Sequence, residues 1–126
     1  MNIEQQCTSL ELSKRLKELG VRQDSYFHWV ITEIGNQFIW PFELCEQEVS
    51  CIVFSWSAFT ASELGEMLPK QIWHPNGEKL MICRPANRLC HWVVYYDKDT
   101  WTEENSEANA RAAMLINLIE QGMVKV

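Results

Sequence analysis

The side chains most able to do covalent or metal chemistry are five cysteines, spaced irregularly as Cys7, Cys45, Cys51, Cys83 and Cys90. An odd count, behind a polar N-terminus that does not resemble a secretion signal, does not suit a secreted disulfide scaffold. Zinc sites usually take pairs separated by about two to four residues. The nearest pairs here have five and six residues between them. We therefore expect free, buried thiols in a reducing cytoplasm, with no metal site and no cofactor.

Three histidines, His28, His74 and His91, are the candidates for a general acid or base. A cysteine nucleophile needs a thiolate, a base within hydrogen-bond reach and a third group that orients the base. The sequence does not bring any two of these groups together. Because His91 directly follows Cys90, the two would point to opposite faces of a strand and suit a shared metal poorly. Strand histidines are more often surface residues or partly buried ones bonded to a neighbour.

Carboxylates cluster at Glu43, Glu46 and Glu48 and again at Asp97 and Asp99. A glycosidase pair would need two carboxylates held about 5 to 10 Å apart across a cleft, and nothing in the spacing selects such a pair. The second cluster also lacks the glycine and the closing glutamate of a calcium loop. No phosphate-binding loop, dinucleotide fingerprint, nucleophile elbow or zinc-protease motif is present. Both clusters are typical of solvated loops, and we expect no catalytic residue.

Six tryptophans in 126 residues are the least ordinary feature of the composition. Most fall in strand-like runs, where packing in the core is the default interpretation. Trp40, in the run Trp40-Pro41-Phe42, and Trp101 lie instead where we place an edge or a loop. Exposed aromatic residues bordered by acids can mark a partner surface, so Trp40, Phe42 and Trp101 form the candidate partner surface, with structural packing as the alternative.

The composition suits one domain spanning residues 1–126. Seventeen acidic residues against eleven basic ones give a net charge of -6, which argues against broad binding to nucleic-acid backbones. No apolar run approaches the length of about 20 residues that spans a bilayer. We therefore expect an acidic cytoplasmic protein that binds neither membrane nor nucleic acid.

Three helices are predicted, over residues 9–19, 60–68 and 104–121. Thr8 with Glu11, and Thr60 with Glu63, have the spacing of a capping box. Gly65 weakens the second helix. The third helix opens on an acidic cluster that includes Glu103 and Glu104, and it continues with apolar residues at helical spacing.

Strand-like runs lie between these helices, at residues 26–34, 37–40, 51–56, 72–74, 79–84 and 89–96. The turn signals Gly35-Asn36 and Pro75-Asn76-Gly77 predict hairpins. Both faces of the last run are apolar, which indicates a strand covered on both sides. Strands joined by short turns pair antiparallel. The sequence therefore predicts an α+β domain, an antiparallel sheet of four to six strands with three helices mostly on one face.

Three stretches that cover most of the chain carry a resemblance to a family. They are CTSLELSK at residues 7–14 running into Leu19-Gly20, FTASELGEMLP at residues 59–69, and EANARAAML at residues 107–115 followed by Gln121-Gly122. In this order they resemble small phage- and prophage-encoded proteins of unknown function. The resemblance implies a mobile-element origin and an intracellular role, and it supplies no active residues. The cysteine-bearing segment from Glu43 to Trp56 has no counterpart in it.

The leading hypothesis is a noncatalytic, phage- or prophage-derived accessory protein that acts by binding a host or phage protein. One alternative is a small cytoplasmic enzyme whose cleft gathers cysteine, histidine and glutamate side chains. Another is an acidic decoy of a nucleic-acid-binding protein. An edge strand or an aromatic patch would also allow a homo-oligomer.

Overall fold

The α+β class predicted from the element pattern is confirmed. The computed structural model describes residues 3–41, 52–74, 77–86 and 91–126, and of Trp73 and His74 it describes the main chain. The helices of these residues are α1 (Ile3–Gln6), α2 (Leu10–Glu18), α3 (Ala61–Met67) and α4 (Glu107–Glu120). The strands are β1 (Phe27–Thr32), β2 (Gln37–Pro41), β3 (Ile52–Ser57), β4 (Gln71–His74), β5 (Gly77–Leu80), β6 (Ile82–Pro85), β7 (Trp92–Asp97) and β8 (Thr100–Glu104).

The prediction of one sheet with four to six strands is wrong. The described strands form three small antiparallel sheets, with the orders β2-β1-β3, β4-β5 and β6-β7-β8. The run 79–84, which was predicted as one strand, divides at Met81 between the second sheet and the third. The Met81 N–H still donates to the Lys70 carbonyl at 2.9 Å, whereas Ile82 already pairs with Tyr95 of β7. One continuous apolar run therefore contributes strands to two sheets.

Strand β8 was not predicted, because its residues were assigned to a loop and to the start of the last helix. The Asp99 N–H donates to the Asp97 carboxylate at 2.9 Å, and this turn brings the chain back alongside β7. Glu103 and Glu104 consequently lie in a strand, and α4 begins later than predicted. Its N-cap is Ser106, whose hydroxyl accepts a hydrogen bond from the Asn109 N–H at 3.1 Å.

The two other predicted helices are confirmed, but the predicted count of three is wrong, because the described residues also contain the short helix α1, and one predicted cap is wrong. The N-cap of α2 is Ser9 and not Thr8. The Thr8 hydroxyl is fully buried, 2.7 Å from the Ser13 hydroxyl, and it accepts the Phe59 N–H at 3.1 Å. Thr8 therefore joins the start of α2 to the chain before α3. The capping box of α3, formed by Thr60 and Glu63, is present as predicted.

The helices connect the two three-stranded sheets. Helix α4 packs on β6, β7 and β8 and also contacts α2 and α3, and α2 contacts β3 of the other sheet. The expectation that the helices cover one face of a single sheet is therefore wrong. The largest fully buried side chains of the main core are those of Leu16, Phe59, Leu64, Val94, Met114, Leu115 and Leu118. A smaller cluster around Cys7, Ile39 and Ala58 packs under the first sheet.

None of the helices described above has the length and apolar character needed to traverse a lipid bilayer.

Candidate functional site

The predicted partner-surface residues lie on different sheets. Trp40 is on β2, an edge strand of the first sheet, where it is half-buried and its ring centroid is 4.8 Å from that of Phe38. Trp101 is on β8, an edge strand of the third sheet, with 56% of its surface exposed. Phe42 lies outside the described residues. Trp101 is therefore the member of the predicted set that presents most of its side chain to solvent in the described structure.

Trp101 belongs to an apolar row that crosses all three strands of its sheet. In the strand register, Ile82 of β6 is opposite Tyr95 of β7, and Tyr95 is opposite Trp101 of β8. Directly opposed residues share a face of the sheet, and so does Val93, two positions before Tyr95. Ile82 is 42% exposed, and Tyr95 and Val93 are half-buried. We call these four residues the aromatic face.

The sequence missed three of these four residues as surface candidates. It identified Trp101, but it assigned Val93 and Tyr95 to a strand covered on both sides. In the structure α4 covers the opposite face of the sheet, where Val94 is fully buried. The pairing of β8 with β7 would have shown that one face of β7 is exposed. This pairing could not be inferred, because the sequence pattern did not reveal β8.

Charged groups border the aromatic face on one side. Arg84 is exposed, and its guanidinium carbon lies 5.9 Å from the centroid of the Tyr95 ring. Arg84 and Glu103 are both opposite Val93 in the register. The Nδ1 atom of His91 is 3.0 Å from a carboxylate oxygen of Glu103. Val93 of the aromatic face therefore lies between two charged residues, Arg84 and Glu103, in the row next to Ile82, Tyr95 and Trp101.

The described cysteines are poorly suited to nucleophilic chemistry. Burial, and secondarily the charge of Glu63, raises the pKa of the Cys7 thiol to about 12. Burial also raises the pKa of Cys83, although the nearby Arg111 guanidinium opposes this shift. Cys45, Cys51 and Cys90 lie outside the described residues. In the part of the chain that the structure describes, no three His, Cys, Asp or Glu side chains form a group that could hold a metal ion.

A buried serine–histidine pair lies between β1 and β3. The Nε2 atom of His28 is 3.4 Å from the Ser57 hydroxyl, and the two residues are 4% and 0% exposed. Burial and the positive charge of Lys17 lower the pKa of His28, while Glu63 opposes the shift. A substrate could not reach this serine without a rearrangement, and neither residue lines a described cavity. The side chain of His74 is outside the described part, and His91 pairs with Glu103.

A cavity of about 720 Å³, lined mostly by polar residues, lies where α1 meets the N-terminal turns of α3 and α4. We call it the polar groove. Its lining residues are Glu4, Gln5, Gln6, Thr60, Ala61, Ser62, Trp92, Asn105, Ser106, Glu107, Ala108 and Asn109. The sequence analysis did not find this groove, because its walls come from four parts of the chain that are distant in sequence.

Arg111 connects α3 and α4, which form two walls of the polar groove. Its Nη1 atom donates to the Ala61 carbonyl of α3 at 3.1 Å, and its Nη2 atom is 3.8 Å from the Glu107 carboxylate of α4. Gly65 leaves the space that this guanidinium fills, since a methyl group at Gly65 would overlap Nη1. Gly65, the weak helix former predicted in α3, therefore leaves room for the close contact between Arg111 and this helix.

No protein-family model matches the chain, and no curated protein or solved structure matches it. The resemblance to small phage- and prophage-encoded proteins stays a prediction.

Proposed function

We propose that the protein is a noncatalytic accessory factor, of phage or prophage origin, that binds a host or phage protein through the aromatic face. The observation that carries this proposal is the row of Ile82, Tyr95 and Trp101, which crosses a three-stranded sheet on the side that faces away from α4. Tryptophan and tyrosine are the residues most enriched among those that dominate binding energy at protein interfaces. The mobile-element origin is what the sequence resemblance implies, and the cytoplasmic location is what the expected free thiols imply.

The strands that carry the aromatic face are packed against the core, as a preorganised binding surface requires. Val94, on the opposite side of β7, is fully buried against the core, so the strands that carry Tyr95 and Trp101 are held by packing. A side chain held on a packed strand loses little further conformational freedom when a partner binds. An apolar centre with a polar border is also the usual composition of a protein interface.

The charges at the border define the chemistry of the partner. Arg84 is exposed and lies beside Tyr95, while the neighbouring carboxylate of Glu103 is engaged by His91. A partner that offers an apolar patch with a carboxylate at its edge would pack on Trp101 and pair with Arg84. Such complementarity contributes to the association rate and to the choice of partner.

Trp101→Ala tests the proposal, and Phe54→Ala is the matched control. Phe54 is also 56% exposed and is also on a strand, but in the other three-stranded sheet. Loss of an interface tryptophan typically costs at least about 2 kcal/mol, or roughly 30-fold in affinity. We expect immobilised wild-type protein and Phe54→Ala to retain the same discrete protein from host lysate or phage-infected lysate. Trp101→Ala should lose it.

The retained protein is then identified, purified and titrated against wild type, Trp101→Ala and Phe54→Ala. The thermal unfolding of these three proteins is measured in parallel. Equal affinity for wild type and Trp101→Ala would contradict the proposal, as would the absence of any retained protein from either lysate. Arg84→Glu should also weaken binding and remove most of its dependence on salt. An unchanged salt dependence would contradict the assignment of an acidic group to the partner.

A further inference from the structure

The polar groove is separate from the aromatic face, although both use strand β7. Successive side chains of a strand point to opposite faces, so Trp92 lies on the side of Val94 and the core, while Val93 and Tyr95 lie on the aromatic face. Trp92 is half-buried and lines the groove. A ligand in the groove would therefore not compete with a protein bound on the aromatic face.

Hydrogen bonds within the protein hold the walls of the groove together. Cys7, at the end of α1, forms an isolated backbone bridge with Thr60 at the start of α3. The Ser9 N–H donates to the Asn109 side-chain oxygen of α4 at 2.8 Å. Arg111 joins α4 to α3 through the Ala61 carbonyl. Small-molecule sites are usually preformed in this way, with cavities of about 300 to 1,000 Å³.

Most of the residues that line the groove are polar, although apolar atoms make up the larger part of its surface, and none of the residues described as lining it is positively charged. The carboxylate of Glu4 disfavours an anionic ligand, whereas the carboxylate of Glu107 lies 3.8 Å from the Arg111 guanidinium. Most of the other polar side chains are carboxamides and hydroxyls, which both donate and accept hydrogen bonds. The Asn109 amide donates to the Asn105 side-chain oxygen at 2.9 Å, which orients Asn105 at the exposed rim. This set of groups matches a neutral ligand with many hydroxyls.

We propose that the polar groove binds a short, neutral carbohydrate. A sugar ring presents a C–H face that packs against an indole, and Trp92 supplies that indole in the groove. Its hydroxyls are both donors and acceptors, so they can accept from the Asn105 amide and donate to the carboxylate of Glu4. A charge-assisted bond from a hydroxyl group to the Glu4 carboxylate adds strength.

Ser62→Tyr tests this proposal by filling the groove from an exposed position on α3. Glu66→Tyr is the matched control, because Glu66 is also exposed and lies one turn further along the same helix, outside the lining of the groove. Maltose, cellobiose and N,N′-diacetylchitobiose are the neutral probes, and glucuronate is the anionic probe. Binding is measured by calorimetry and by shifts of the side-chain amide signals of Asn105 and Asn109.

We expect at least one neutral disaccharide to bind saturably, with amide shifts at Asn105 and Asn109. Its affinity should fall at least about tenfold in Ser62→Tyr and change less than about twofold in Glu66→Tyr. Asn105→Ala should weaken binding as well, while Asn36→Ala, an exposed asparagine in the turn between β1 and β2, should not. Absence of binding by all three disaccharides would overturn the proposal. Undiminished affinity in Ser62→Tyr, or glucuronate binding as tight as that of the neutral sugars, would also overturn it.

Discussion

His28 is a buried base, and its folded-state pKa is lowered by burial and by the charge of Lys17. The folded protein therefore binds a proton at His28 more weakly than the unfolded chain does. Its contribution to stability is complete above the ordinary pKa of about 6.5 and is lost as the pH falls from there towards the lower folded-state value. Lowering the pH therefore lowers the free energy of unfolding, because acid favours the state that binds more protons, which here is the unfolded chain.

We expect the free energy of unfolding to fall between pH 7 and pH 5 more steeply in wild type than in His28→Gln. Glutamine keeps a polar group near Ser57 but cannot be protonated. Urea unfolding at several pH values in this range measures the difference, in which the titration of carboxylates common to both proteins cancels. Parallel curves would show that His28 carries no part of the dependence on pH.

Cys7 gives a second expectation, because its pKa of about 12 leaves almost no thiolate in the folded state at moderate pH. The thiolate is the form that reacts with alkylating agents. We expect the Cys7 peptide from native protein treated with iodoacetamide near pH 8 to remain unmodified while the unfolded chain is alkylated rapidly. Mass spectrometry of the digested protein measures both rates. Equal rates in the native and unfolded protein would place Cys7 in an open site.

At the scale of elements, the contact between α3 and α4 depends on Gly65. Gly65→Ala places a methyl group against Nη1 of Arg111, which is held by the Ala61 carbonyl. We expect this change to destabilise the protein by about 1 to 2 kcal/mol, since overpacking outweighs the gain in helix propensity. In an Arg111→Ala background the same change should stabilise by about 1 kcal/mol. Urea unfolding of wild type, the two single variants and the double variant gives a double-mutant cycle. Additive changes in the free energy of unfolding would contradict the contact between Gly65 and Arg111.

The helices could be predicted from the sequence where the capping residues lie within one turn of each other. Thr60 and Glu63 cap α3 because both partners lie within one turn of the chain. The predicted cap at Thr8 failed for a tertiary reason. Its hydroxyl is used by Ser13 and by the Phe59 N–H, so the adjacent Ser9 becomes the N-cap. A distant backbone donor cannot be inferred from the spacing of Thr8 and Glu11.

The sheets were harder to predict because their partition depends on pairing between distant strands. Residues 80–83 form one apolar run, yet the hydrogen bond from Met81 belongs to one hairpin and the pairing of Ile82 belongs to another sheet. Strand β8 is short and contains Glu103 and Glu104, so its composition resembles the acidic start of a helix. Its assignment as a strand requires the turn at Asp97 that brings it against β7.

At the scale of the whole molecule, the alternation of side chains along β7 separates two surfaces. Tyr95 and Val93 contribute to the aromatic face, whereas Trp92 contributes to the polar groove and Val94 to the core. Because the core holds β7 in place, neither surface needs to order this strand when it binds. Of these surfaces, the sequence indicated only Trp101. The remaining residues become neighbours through strand register and helix packing, which a single sequence does not specify.

A photo-crosslinking amino acid placed at position 101, and separately at position 54, measures directly what contacts the aromatic face in phage-infected host cells. Both positions are equally exposed, so differences in solvent access do not bias the comparison. We expect one discrete adduct with a different protein from position 101, and no such adduct from position 54. No adduct at 101, the same adducts from both positions, or an adduct between two copies of this chain would contradict binding of a partner protein at the aromatic face.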